Sequence, residues 1–134
     1  MKTLEQRISI LEKKLRITEK NAFDTLDVFI SSIEHYRKQN FKIGIDDFGS
    51  GYSGLNRVCA FSPDFIKLDM NLIRDIDKDP IKKSAVSATI KFCKESGIKV
   101  VAEGVEKLEE LKVLMNLGAD FAQGYYLGRP CEYF

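Results

Sequence analysis

The chain has 134 residues, 44% hydrophobic and 31% charged, the profile of one globular domain able to bury a core of its own. Its 21 Lys and Arg against 20 Asp and Glu leave a formal net charge of +1, which argues against a nucleic-acid polymer as partner but leaves room for a local phosphate site. No apolar run approaches the roughly 18 residues of a membrane span and no signal-peptide core opens the chain, so no membrane span and a cytoplasmic location are expected.

In chain order, Met1, Leu4, Ile8, Leu11, Leu15 and Thr18 come first, recurring at alternating steps of three and four, the a and d positions of a heptad. In that register Arg7 and Lys14 at g face Glu12 and Glu19 at e of a parallel partner, and Ile8 at a with Leu4 and Leu11 at d favours two strands. The spacing predicts a heptad helix over 1–19, a dimeric coiled coil overlapping a remnant strand over 15–18. An amphipathic helix packing on its own domain fits the same pattern. Asn21 is placed to cap a helix over 23–39, with Leu26, Phe29, Ile30 and Ile33 as its apolar stripe.

Residues 41–45 then read as a buried strand ending in Asp46 and Asp47, and residues 65–69 as a second. A helix over 80–96 is closed by Gly97, and a strand over 99–102 ends at Glu103. A helix over 108–117 is closed by Gly118, and a last short strand covers 121–124. Strand, loop and helix units with apolar strands predict an α/β fold with a parallel sheet covered by helices.

Polar residues recur at the C-terminal end of each predicted strand: Asp46 and Asp47, Lys67 and Asp69, Glu103, and Gln123. In a parallel barrel these ends share one rim, where chemistry is built. Carboxylates around a lysine, without histidine or cysteine, suit oxygen-preferring cations such as Mg2+ or Mn2+. A single strand-end acid is accounted for by helix capping; four strand ends in succession point to a shared site. Directly after the aspartates comes a glycine-rich loop over 48–55, able to turn tightly and approach a ligand closely.

Four segments carry a resemblance: Ile45-Asp46-Asp47-Phe48-Gly49-Ser50-Gly51-Tyr52-Ser53-Gly54-Leu55, Asp64-Phe65-Ile66-Lys67-Leu68-Asp69, Ala102-Glu103-Gly104-Val105-Glu106, and Gln123-Gly124-Tyr125-Tyr126-Leu127-Gly128-Arg129-Pro130. In this order they resemble the C-terminal half of an EAL domain, the family of cyclic di-GMP phosphodiesterases built on a TIM-like barrel, over about residues 17–134. The resemblance implies that Asp46 serves a first metal ion and Asp47 a second, that Lys67 contacts the attacking water, and that Glu103 and Gln123 complete the catalytic rim. It further implies that the loop over 48–55 couples metal binding to dimerisation, that Glu19 anchors this loop, and that cyclic di-GMP is linearised to pGpG with Mg2+ or Mn2+. The EAL part would occupy residues 20–134.

The departures from the family pattern are as specific. The Glu-Ala-Leu signature strand with its metal-binding glutamate, the guanine-binding arginine after it, and the following strand with an asparagine ligand are not among these residues. The remaining metal glutamate belongs three residues before Glu19, where Arg16 stands and places a permanent positive charge. About five of eight barrel strands are expected, so the fold reads as a partial TIM-like barrel. The function reads as a truncated or degenerate phosphodiesterase domain, impaired or inactive alone. A non-catalytic dimerisation or signalling scaffold, and an active hydrolase completed by a partner chain, are the alternatives.

Lesser features get simpler readings. Cys59, Cys93 and Cys131 form no CxxC pair and read as ordinary semi-buried thiols. His35 reads as a surface residue. Tyr125 and Tyr126 either line a nucleotide pocket or pack in the core, and Glu106, Glu109 and Glu110 start a helix where negative charge is favoured.

Overall fold

The structure, a computed structural model, describes residues 24–49 and 54–129. The heptad positions Leu4, Ile8, Leu11 and Leu15, together with Arg16, Glu19 and Cys131, lie outside the described residues. Helix α1 (Asp24–Lys38) leads to strand β1 (Gly44–Phe48), helix α2 (Gly54–Phe61) and strand β2 (Phe65–Leu68). There follow the single turn α3 (Met70–Ile73), helix α4 (Pro80–Glu95), strand β3 (Lys99–Ala102), helix α5 (Leu108–Leu117) and strand β4 (Phe121–Ala122). The strands form one parallel sheet in the order β1-β2-β3-β4. Because each connection returns through helical segments, every strand ends at the same edge of the sheet.

Local chemistry sets the boundaries. Pro80 opens α4, and the Asp79 carboxylate accepts from the backbone N–H groups of Ile81 and Lys82, capping donors that have no partner within the helix. Gly118 closes α5 with φ of 95°, a left-handed conformation that glycine adopts without steric cost. Two differences from expectation concern β1 and β4. Strand β1 does not end at its aspartates but runs through them to Phe48, because Phe48 pairs with Leu68. Strand β4 stops at Ala122, leaving Gln123 beyond it.

Alternate strand residues point at the helices. Ile45, Ile66, Leu68, Val100 and Ala102 are buried against Val86, Ile90 and Cys93 of α4 and Leu114 of α5, with Ile73, Ile76 and Val105 completing the core. A smaller cluster joins Phe29 and Ile33 of α1 to Ile43 and Phe61, the two phenylalanine rings meeting edge to face at 5.1 Å. The thiols differ from the semi-buried reading in opposite directions. Cys93 falls on the inward stripe of α4 and is fully buried, whereas Cys59 lies beside the Val58–Phe61 stripe of α2 and is exposed.

The other face of the sheet carries Phe65, Lys99, Val101 and Phe121, which line an open cleft of about 500 Å³. Phe121 is 60% exposed there. With Ile66 fully buried between sheet and helices, Ile66→Ala should cost about 2–5 kcal/mol of stability. Urea denaturation checks this, and a loss below about 1 kcal/mol would contradict the packing described.

Candidate functional site

Adjacent residues of a regular strand point to opposite faces, so two neighbouring aspartates cannot both serve one site without a distortion. Strand β1 supplies it. Its pairing with β2 runs Gly44 to Phe65 and Ile45 to Ile66, then resumes at Phe48 to Leu68. Asp46 and Asp47 are therefore set against Lys67 alone, two residues opposing one, which is a β-bulge. Asp47 has φ of 51°, in the left-handed region that aspartate tolerates better than most side chains. Its N–H donates to Asp46 Oδ1 at 2.9 Å. As a result, a carboxylate oxygen from each of Asp46, Asp47 and Glu103 lies within 4.8 Å of the others.

The remaining strands bring their own residues to the same place. Glu103 follows β3, and its N–H donates to Leu68 O at 3.3 Å. Lys67 Nζ lies 3.4 Å from Glu103 Oε1, with side chains only 13% and 19% exposed. Gln123 follows β4; its N–H donates to Ala102 O at 2.9 Å and its side-chain Nε2 donates to Glu103 Oε1 at 3.3 Å. The five residues Asp46, Asp47, Lys67, Glu103 and Gln123 thus converge, with Glu103 at the centre. Asp69 takes no part: its carboxylate accepts from Asn71 N–H at 3.1 Å and caps α3.

Burial pushes the Glu103 carboxyl up to about 7, the Asp46 charge pushes in the same direction, and Lys67 pulls back. A protonated Glu103 donates to the Asp46 carboxylate, which adds to the rise. The donors are carboxylate oxygens without histidine or cysteine, and three of them within 4.8 Å fit a hard divalent cation that fills its other positions with water or substrate oxygens. His35 is exposed, as expected. Tyr125 and Tyr126 are 61% and 44% exposed, so they are not core residues, and Arg129 stacks over the Tyr125 ring at 4.9 Å. Of the glycine-rich loop, residues 50–53 lie outside the described residues.

Sequence reasoning missed one residue near this rim. Glu110 reads from sequence as a helix-start acid, yet it is 1% exposed and accepts from the backbone N–H groups of Asp75, Glu106 and Lys107. The sequence offers only half of a capping-box signal, a glutamate three residues after the helix start at Lys107, without the Ser or Thr that completes the pattern.

Two consequences are measurable in metal-free buffer. A carboxyl raised to about 7 favours folding below the ordinary carboxyl range near 4.5, and that contribution is lost as pH rises through 7. Glu103→Gln should therefore flatten the pH dependence of stability and be more stable than the wild type at pH 8 by roughly 1–3 kcal/mol. Urea titrations at pH 5 and pH 8 read this directly. Asp47→Gly should relieve the left-handed strain and raise metal-free stability by about 1 kcal/mol, as read by the same urea titrations.

Comparison with known proteins agrees with this geometry. Residues 3–130 match the EAL domain family. The chain is 36% identical over 116 residues to the probable cyclic di-GMP phosphodiesterase PdeA of Escherichia coli, covering 87% of this chain and 16% of that protein. It is 33% identical over 114 residues to the cyclic di-GMP phosphodiesterase RocR of Pseudomonas aeruginosa, covering 85% of this chain and 29% of that one. Among solved structures, the manganese and cyclic di-GMP complex of Klebsiella pneumoniae BlrP1 superposes with a TM-score of 0.76 at 42% identity, over 83% of this chain and 28% of that chain. An EAL domain protein from Listeria monocytogenes gives 0.74 at 33% identity, over 78% and 42%. The chain spans less than a third of the length of the two phosphodiesterases it is compared with. Motif order, parallel sheet and rim geometry lead to one assignment: this chain belongs to the EAL domain family and represents part of the full domain.

Proposed function

We propose that these residues carry the residual rim of a metal-dependent cyclic di-GMP phosphodiesterase, and that the 134 residues alone hydrolyse the dinucleotide poorly or not at all. The observation that carries the reading is the bulge in β1, which gathers Asp46, Asp47 and Glu103 oxygens within 4.8 Å beside Lys67. The substrate class is supported by the names of the relatives and by the cyclic di-GMP complexes of BlrP1 with calcium and with manganese.

In this reading Asp46 holds one Mg2+ or Mn2+ ion and Asp47 a second; such ions activate water and neutralise charge on a phosphoryl group. Lys67, fixed by Glu103, orients the attacking water and offsets the negative charge that develops on the phosphate. Gln123 fixes Glu103 in turn. Glu19 anchors the glycine-rich loop, and the heptad over 1–19 pairs two copies ahead of the EAL part over 20–134. Impairment follows from the ligand set. The signature glutamate and the asparagine ligand are not among these residues, and Arg16 brings a fixed cation to a metal-ligand position.

Incubation of the chain with cyclic di-GMP and Mn2+ should yield no pGpG above a protein-free control when resolved by chromatography. Turnover that Asp46→Ala abolishes would overturn the impaired reading and favour an active site completed by another chain.

A further inference from the structure

We infer that Glu110 is a positioning residue for the rim: its buried carboxylate fastens the segments after β2 and β3 into one body, and thereby holds Glu103 and Gln123 in place. The inference rests on the rim being the functional site.

The geometry exceeds what helix capping needs. Glu110 Oε1 accepts from Glu106 N–H at 3.0 Å and from Lys107 N–H at 3.1 Å, which starts α5. Its other oxygen, Oε2, accepts from Asp75 N–H at 2.7 Å, and Asp75 belongs to the segment after β2. Asp75 reaches this position with φ of 57°, a left-handed conformation that aspartate tolerates better than most side chains. Two exposed ion pairs bridge the same segments, Lys107 to Asp75 at 2.6 Å and Arg74 to Glu106 at 3.5 Å. Exposed pairs of this kind contribute little, whereas a buried carboxylate accepting three N–H groups strands all three if it is lost.

The fastening reaches the rim through short, closely packed links. Glu106 follows Glu103 by three residues, and between them a Cβ on Gly104 would sit 2.6 Å from the Met70 Cβ, so the segment after β3 lies directly on the start of α3. Val105, fully buried, donates its N–H to Gln123 O at 3.1 Å and accepts from Tyr126 N–H at 3.0 Å. A shift of Glu110 is thus passed to Glu103 and, through Val105, to Gln123.

The test uses hydrogen exchange and nuclear magnetic resonance on the 134-residue chain without metal or nucleotide. In the wild type, the Asp75, Glu106 and Lys107 amides should show matched protection, within about threefold, because one carboxylate holds all three. In Glu110→Ala, all three should exchange at least about tenfold faster, with α4 unchanged, and the Gln123 side-chain amide signals should move. An Asp75 amide that exchanges far faster than Lys107 in the wild type overturns the inference, and that measurement stands even where the variant fails to fold. So does a variant in which only the start of α5 loosens while Asp75 and the Gln123 signals stay as in the wild type, the behaviour of a plain helix cap. Neither readout involves cyclic di-GMP, so failure here is distinct from failure of the proposed activity.

Discussion

The rim depends on a mismatch in strand pairing. Between two regular rungs of the β1–β2 ladder, two residues of one strand face one of the other. That extra residue converts the alternation of a strand, which would send Asp46 and Asp47 to opposite faces, into a paired acidic donor set. The strain of Asp47 and the crowding of carboxylates at Glu103 both follow from it. A site assembled this way gathers negative charge in a half-buried place, and Lys67, 3.4 Å from Glu103, offsets part of it.

How far the sequence reveals this arrangement varies by residue. The parallel alternation, the closing roles of Gly97 and Gly118, and the meeting of Asp46, Asp47, Lys67, Glu103 and Gln123 are all legible, because strand ends in a parallel sheet share an edge. The bulge is not legible, since it belongs to the pairing of two strands rather than to either one. Helix α2 has eight residues and α3 four, too short for a periodic stripe to register. Burial of Glu110 was hidden because one of its partners, Asp75, is distant in the chain. The exposure of Tyr125 and Tyr126 reflects a turn that leaves the sheet one residue after Ala122, sooner than their aromatic character suggests.

Two kinds of support therefore meet at Glu103. The sheet positions its backbone through the hydrogen bond to Leu68, and side chains from β2 and from the end of β4 hold its carboxyl. Regular secondary structure alone brings Cβ atoms only to the right neighbourhood. Lateral contacts between neighbouring segments then fix the last ångström, on which charge chemistry depends.

The order of the strands has a consequence for how such a chain is made. Strands β2, β3 and β4 each pair with the described strand synthesised just before them, and pairing partners such as Ile45 and Ile66, or Ala102 and Ala122, are separated by a few tens of residues at most. No described strand waits for a later one to insert beside an earlier neighbour. The sheet can grow one unit at a time as the nascent polypeptide leaves the ribosome, with little loop entropy to overcome at each addition. Until a following unit arrives, the newest strand is always the edge, so the pace of translation sets how long each edge stays open to other chains.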